Sequence, residues 1–375
     1  MIEFNEAYEP PENKINAKKG YIEWGKDNAY PNSSFEMYNY KGSSTNKSII
    51  NKKVKLIAGA GLAPVQNQDL NRLIRKCKLE QQIKQGVLDF EIINGMAFEV
   101  LWSRDGSRIS SIKHMPIHKL REGIVDLDDP NGVHYPHYLF SNDWQSYSKR
   151  KKKEFAPEVI RAFNPEIREG KQVYVYYEYN PFCEVYPVET YSTAMNWIEL
   201  DYEVSVFHIN QLKQGYHPTF ILNFANGIPE EEEMDSVVAE FEDKYQGARN
   251  AGKMLIAFSE GQDQAPTIET INLQDTDERF TYLKEVSKEE IATAHEIPLQ
   301  IVILTPGKLA STEERLELLQ EFQISYITPR QETVEYVIND ILKAGGYEEE
   351  IKLLDYKEKI KDETVEEVEE EVINE

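Results

Sequence analysis

The residues with reactive potential come first. Gly247-Ala-Arg-Asn-Ala-Gly252-Lys253 has the spacing of a phosphate-cradling loop. Such a loop wraps phosphate oxygens in backbone N–H groups and a lysine, and needs a strand before it, a helix after it and Ser/Thr next to hold magnesium. Here a helical pattern precedes, a strand pattern follows, and the next residue is Met254. The glycines read as a helix-to-strand turn. Asp126-Leu-Asp128-Asp129-Pro-Asn131-Gly132 spaces its carboxylates like a calcium loop. The sixth residue is Asn131 where glycine is required, and the twelfth is His137 where a glutamate is required, so a turn is expected. His114 and His118 are four apart, but Pro116 between them argues against one helical face; His134 and His137 flank Tyr135-Pro136. No paired cysteines, HExxH or carboxylate–histidine cluster accompanies them. No GxSxG or SxxK motif is present, and neither Cys77 nor Cys183 has the local signature of a nucleophile. Carboxylates are plentiful, yet nothing selects a pair for acid–base work. The expectation is no catalytic residue, no metal and no cofactor.

The elements that would carry these residues change character along the chain. Residues 1–20 read as extended. Ser43–Ile57 has helical apolar spacing at Ile49, Ile50, Val54 and Ile57, and Leu70–Asn94 is strongly helical. Asn94-Gly95 is a hairpin-type turn signal. Met96–Trp102 and Arg108–Ile112 flank Asp105-Gly106 as a hairpin, and short strands follow at Tyr135–Phe140, Val173–Tyr179 and Glu184–Pro187. One α+β domain with a meandering antiparallel sheet is expected up to about residue 190. Ser192–Gly215 then runs without internal Pro or Gly, with an apolar stripe at Trp197, Leu200, Val204 and Phe207. A small strand–helix–strand–strand unit follows: Thr219–Phe224, Glu230–Tyr245, Met254–Phe258 and Thr267–Leu273. A second long helix spans about Asp277–Glu296, capped by Asp275 with Glu278 and closed before Pro298. Ser311 with Glu314 opens a further helix toward Leu342, which Pro329 should kink and Gly345-Gly346 should end. Ile351–Tyr356 reads as a last strand. A small module set between two long helices suggests a stalk with a cap.

Charge sharpens this picture. The 375 residues carry 42 Lys+Arg and 66 Asp+Glu, a net charge of −24. That excludes a protein whose job is to grip phosphates, and disfavours an anionic membrane surface. Hydrophobic residues at 40% are ample for a packed core, which excludes disorder throughout. Two cysteines fit a chain folding in a reducing cytosol. No leader is expected at the N-terminus, and no apolar run is long enough to span a membrane. The acid is concentrated: Asp362–Glu375 holds eight acids and no base, and Glu230–Tyr245 holds eight acids and one base. One basic run, Lys149-Arg150-Lys151-Lys152-Lys153, reads as a solvated loop tip, with a phosphate contact or partner-docking patch as its alternative.

The order of segments resembles the portal (head-to-tail connector) family of tailed bacteriophages, in its small, widespread form. The matching pieces are Trp24-Gly-Lys-Asp-Asn-Ala-Tyr-Pro31, Ile57-Ala-Gly-Ala-Gly61, Asn94-Gly-Met-Ala-Phe98 and Ile112-Lys-His-Met-Pro116. They continue in the Trp197–Gly215 helix, Asn223-Phe-Ala-Asn-Gly227, Tyr245-Gln-Gly247, Asn250-Ala-Gly-Lys253, Asp277-Glu-Arg-Phe280 and Ala294-His295-Glu-Ile-Pro298.

That resemblance implies an α+β portal-type subunit. It has a wing at 1–191, a first stem helix at 192–217, an inserted α/β clip at 218–273 and a second stem helix at 274–297. A tunnel loop at 298–310 and a long kinked tunnel helix at 311–342 follow, then a return segment and acidic tail at 343–375. The tunnel loop residues Leu304, Thr305, Pro306, Gly307 and Lys308 would face the DNA channel. Glu230, Glu231, Glu232, Glu233 and Asp235 of the clip would dock terminase or adaptor, and Trp197, Leu200, Val204 and Phe207 would face neighbouring subunits. The implied partners are further copies in a dodecameric ring, double-stranded DNA as conducted cargo, the terminase large subunit, major capsid or scaffolding protein and the head-tail adaptor, with no membrane. The implied place is the portal vertex of a virion assembled in the host cytoplasm, with no enzymatic activity. For a conduit the acidity is support, because acidic walls repel the phosphates they conduct. Two alternatives remain: another virion structural protein (capsid or adaptor), and an acidic hydrolase with paired carboxylates.

Overall fold

The protein is described by a computed structural model at residues 13–16, 20–127, 132–144, 147, 156–181, 183–214, 221–224, 255–258, 274–302 and 312–355. It divides into two compact units, Met1–Ile198 with Lys288–Glu375, and Glu199–Ser287.

In the larger unit, Ser43 caps helix α1 (Ser44–Ala58) by accepting from the N–H groups of Thr45 and Asn46. This satisfies two of the donors a helix start leaves open. Ile49, Ile50, Val54 and Ile57 are all buried, as their spacing predicts. The helical stretch expected over Leu70–Asn94 is two helices, α2 (Gln68–Cys77) and α3 (Leu79–Ile93). Lys78 separates them in the left-handed region at φ 51°.

Asn94 is also left-handed and ends α3, so Asn94-Gly95 turns a helix into a strand and does not join a hairpin. No side chain fits at Gly95, since a Cβ there would lie 2.7 Å from Ile117 and 2.8 Å from Pro187. Strand β1 (Gly95–Trp102) pairs with β2 (Ile109–His114) across the expected Asp105-Gly106 turn. The Asp105 carboxylate accepts from the Ser103 hydroxyl and from Ser107, which fixes that turn.

The sheet continues with β3 (Leu120–Glu122), β4 (His137–Phe140), β5 (Glu158–Ala162) and β6 (Lys171–Tyr177), in the order β2-β1-β6-β5-β4-β3. It is not the simple meander expected. Strand β6 inserts beside β1, antiparallel to it over seven residue pairs, and meets β5 in parallel. Residues 184–187 form no strand. Two four-residue strands, Asn13–Asn16 and Tyr21–Trp24, pair with each other, and Tyr21 bridges to Gly123.

Helix α4 (Met195–Gln214) follows a short 3-10 turn, and helix α5 (Gln274–Ala294) is the second long helix. Helix α5 begins before Asp275, so that residue lies inside its first turn and is not its cap. In the smaller unit, Ile221–Phe224 and Leu255–Phe258 pair in parallel, which demands a crossover between them. The helix expected at Glu230–Tyr245 and the strand at Thr267–Leu273 lie outside the described residues.

Within the expected loop 298–310, residues Leu299–Val302 form one helical turn. Helix α6 (Thr312–Phe322) then passes through a π-turn at Gln323–Ile327 into α7 (Thr328–Ala344). The interruption precedes Pro329 by about one turn. Proline has no N–H to bond the carbonyl of residue 325, so the ladder widens there. The final extended stretch is not a strand. It lies along 60–63 through the Leu62–Leu353 bridge and hydrogen bonds Ala60–Leu354 and Ala63–Lys352.

Candidate functional site

The described chain brings together one dense group of polar side chains, inside the larger unit. Helix α1 contributes Lys53 and Asn46, α3 contributes Glu91, and His295 follows the end of α5. The π-turn contributes Tyr326 and α7 contributes Arg330. Tyr326 donates its hydroxyl to Glu91 Oε2 at 2.9 Å. The Lys53 ammonium lies 3.7 Å from the same oxygen and 3.8 Å from the Tyr326 ring centre. Arg330 lies 3.8 Å from Glu91 Oε1, donates to Asn94 and Glu178 at 3.0 Å each, and covers the Phe90 ring. Glu91 thus faces two cations and a phenol in a site nearly closed to water.

His295 fills the other side. Its Nδ1 lies 3.5 Å from Lys53 Nζ and its Nε2 is 2.7 Å from Asn46 Oδ1, while its ring stacks on Tyr191 at 4.2 Å. These partners assign the proton to Nε2, because the ammonium can only donate. Burial, with Lys53 beside it, holds the His295 imidazolium well below the usual histidine range. Burial likewise pulls Lys53 down to about 8, against the attraction of Glu91. A cavity of about 300 Å³ opens beside the group, lined by His295, Glu296, Tyr326, Pro329 and Arg330 among others. The cations and Glu91 are paired within the same group, although Glu91 Oε1 accepts no hydrogen bond. What the arrangement does is fasten the start of α7 and the end of α5 to α1 and α3.

A second cluster is built on the Trp24–Pro31 segment. Arg121 is fully buried, with its guanidinium donating to Asn28 Oδ1, Asn28 O, His118 O and Leu120 O. It lies between the rings of Trp24 and Trp144. Trp24 itself stacks on Tyr186 at 4.6 Å. Asn28 can serve both its side chain and its carbonyl because it sits at φ 60°. Among the described residues no carboxylate contacts this arginine, and burial brings it down to about 10.

The four stem residues are placed unequally. Trp197 packs against the main core and Val204 is buried. Leu200 is half-buried. Phe207 is 40% exposed and meets Phe280 of α5 at 4.8 Å, with His208 also against Phe280. Part of the stripe is therefore spent within the chain. The acids Glu230, Glu231, Glu232, Glu233 and Asp235, the loop Leu304–Lys308, the basic run 149–153 and the glycine loop 247–253 lie outside the described residues.

Three further histidines sit in local contacts. His114 binds Asp89 at 2.8 Å, His137 Nδ1 donates to Tyr135 O, and His118 packs on Phe35. Among the described residues no group of three or more His, Cys, Asp or Glu could hold a metal ion, and no helix is long and apolar enough to cross a membrane. The residues missed from sequence are Lys53, Glu91, Tyr326 and Arg330. Their only signal was a charged residue on an otherwise apolar helical face, as at Lys53 beside Ile49, Ile50 and Val54.

Three comparisons bear on this geometry. A family model described as phage portal protein matches residues 80–361. A probable portal protein of Haemophilus phage HP1 (strain HP1c1) is 23% identical over 161 residues, 43% of this chain and 46% of that relative. The match therefore reaches less than half the relative's length. Among solved structures, the neck of a native gene transfer agent particle computed with C12 symmetry has TM-score 0.51 at 15% identity, covering 85% of this chain and 82% of that one. The virion of a native gene transfer agent particle has TM-score 0.55 at 14% identity, covering 92% and 88%. At these identities the likeness is one of fold.

Proposed function

We propose a function from the premise that this chain belongs to the phage portal protein family: it is the repeating subunit of a ring at one vertex of a phage-like capsid. The ring is the channel for double-stranded DNA during packaging and ejection, and the platform for the terminase large subunit, the capsid or scaffolding protein and the head-tail adaptor. It catalyses no reaction, and the energy of packaging comes from its motor partner. The observation that carries this reading is the family match over residues 80–361, with the fold likeness to a neck computed with C12 symmetry in support of twelve copies.

On this reading the wing is 1–191, the stem helices are 192–217 and 274–297, and the clip is 218–273. The tunnel loop is 298–310, the tunnel helix 311–342, and the return segment and tail 343–375. Two 20- and 21-residue helices, α4 and α5, suit a stem, each about 30 Å long at ~1.5 Å per residue. Phe207, Ile209 and Tyr282 leave apolar surface exposed in the smaller unit, and neighbouring copies would bury it. Leu304–Lys308 would line the channel, and Glu230, Glu231, Glu232, Glu233 and Asp235 would meet motor or adaptor. Net acidity keeps the channel from holding the phosphates that pass.

Negative-stain imaging of the purified chain tests this. Rings with a central hole, and twelve-fold class averages along the axis, are the expected result. A monomer at every concentration, with no ring, overturns it.

A further inference from the structure

A groove of about 480 Å³ runs along the larger unit between residues 62–65 and helices α2 and α3. Its apolar lining includes Leu62, Pro64, Val65, Ile74 and Leu79. Arg75 and Lys78 line it as well; both are exposed, and neither has an ion-pair partner among the described residues. Lys78 is held in place by its left-handed backbone, with its N–H on Arg75 and Ile74 carbonyls. The one acid in the lining, Glu80, already accepts from the Leu62 N–H at 3.1 Å. The groove therefore offers an apolar floor with two cations against one acid, a net positive lining.

The described chain ends beside it. Leu353 bridges Leu62, and Leu354 exchanges hydrogen bonds with Ala60 and Gly61. Residues 356–375 depart from that point. Asp362–Glu375 carries eight acids and no base, and Val365, Val368 and Val372 recur at i, i+3 and i+7. That spacing gathers the valines on one face of a helical turn and leaves the acids on the other. Asp362 lies seven residue steps beyond Asp355, a reach of roughly 23 Å at ~3.3 Å per residue, enough to fold back from Ala60 to Val65.

We propose that the acidic C-terminal tail of the same copy docks in this groove, its valines on Leu62, Val65 and Ile74 and its carboxylates on Arg75 and Lys78. The contact is intramolecular, so the tether supplies a local concentration of about millimolar and a weak intrinsic affinity is enough to populate it. The acids set against the two cations make the docked state sensitive to salt. A tail held this way is withheld from other partners until salt or a competitor releases it. This proposal is independent of the ring reading.

Zero-length carbodiimide cross-linking of the full chain, followed by mass spectrometry, tests it. At low salt, Lys78 should join carboxylates within 362–371. The yield should fall at least about threefold in Arg75→Glu, in the triple variant Val365→Ser, Val368→Ser, Val372→Ser, and at about 0.5 M salt. The Lys343–Glu350 pair, 3.6 Å apart, is the internal control. Formation of the control link without any Lys78–tail link overturns the proposal. So does a yield untouched by the triple variant, which would leave charge alone at work. A 1:1 mixture of light and heavy isotope-labelled protein should give links within one copy; links found only between copies overturn docking in cis.

Discussion

The two units differ in how they treat charge. The larger unit buries charge: Lys53, Glu91, Arg121 and His295 are all nearly closed to water and all engaged. The smaller unit exposes apolar surface: Phe207, Ile209 and Tyr282 stand substantially open in the isolated chain. A buried charge is costly unless its partners are fixed, so the first arrangement demands one rigid geometry. Exposed apolar side chains set no such demand when they stand singly. The larger unit leaves Leu127, Tyr179 and Ile324 open as well, so among the described residues the units differ in their buried charge and not in exposed apolar surface.

The larger unit itself contains two solutions for a buried cation. Among the described residues, Arg121 is surrounded by carbonyls and rings with no acid. Lys53 and Arg330 share Glu91. The sharpest break of this comparison is Glu91→Ala, which strands the Lys53 ammonium and the Tyr326 hydroxyl while Arg330 keeps Glu178 and Asn94. We expect a loss of about 3–5 kcal/mol in denaturant unfolding of the larger unit, with the Phe207–Phe280 contact in the smaller unit unaffected. Glu91→Gln should recover part of it, since an amide still accepts from Tyr326. Arg121→Met comes next. It leaves three carbonyls without this donor, since Asn28 Oδ1 still accepts from the Trp24 N–H, and no unpaired charge, so a loss of roughly 2–3 kcal/mol is expected by the same measurement. A loss equal to that of Glu91→Ala would show that the acid adds nothing special.

The pH profile follows. Burial holds His118 down at about 4, below its ordinary 6.5, with Asp89 opposing weakly. Between these values the unfolded chain binds more protons than the folded one, so stability rises with pH across that window and is lost as pH falls from 6.5 toward 4. His118→Phe should flatten this part of the profile by an amount of the order of 2–3 kcal/mol relative to the parent chain, read from unfolding at pH 4.5 and 7. Phe207→Ala should cost the helix pair about 1 kcal/mol through the lost ring contact with Phe280. It should speed proteolysis within 199–287, leave the larger unit's unfolding unchanged, and lower the fraction of chain found in rings. Reversing Glu231, Glu232 and Glu233 to Lys should have the smallest effect on stability, within about 0.5 kcal/mol, while docking of motor or adaptor falls. Unchanged packaging would remove that acidic segment from the docking surface.

Some of this was legible residue by residue. The Ser43 cap, the apolar positions of α1 and the Asp105-Gly106 hairpin are local chemistry, set by residues within a few positions of one another. Asn94-Gly95 ends a helix where its residue types also suit a hairpin, because a left-handed asparagine serves both, and the packing of Gly95 against Ile117 and Pro187 selects the helix end. Pro329 disturbs its helix as its missing N–H requires, but the disturbance takes the form of a π-turn that seats Tyr326 against Glu91. The polar junction was illegible: Lys53 and His295 are 242 residues apart, and Tyr326 and Glu91 are 235 apart.

The acidity, the order of segments, the long helices and the resemblance to portal proteins can all be read along the chain. These depend on composition and short-range periodicity, which the chain displays openly. Only the tertiary structure decided which charges are buried and with whom, that β6 inserts between β1 and β5, and that Phe207 turns to Phe280. Each of these is a contact between residues far apart in sequence, chosen by the free energy of a closed interior and by nothing in the local pattern.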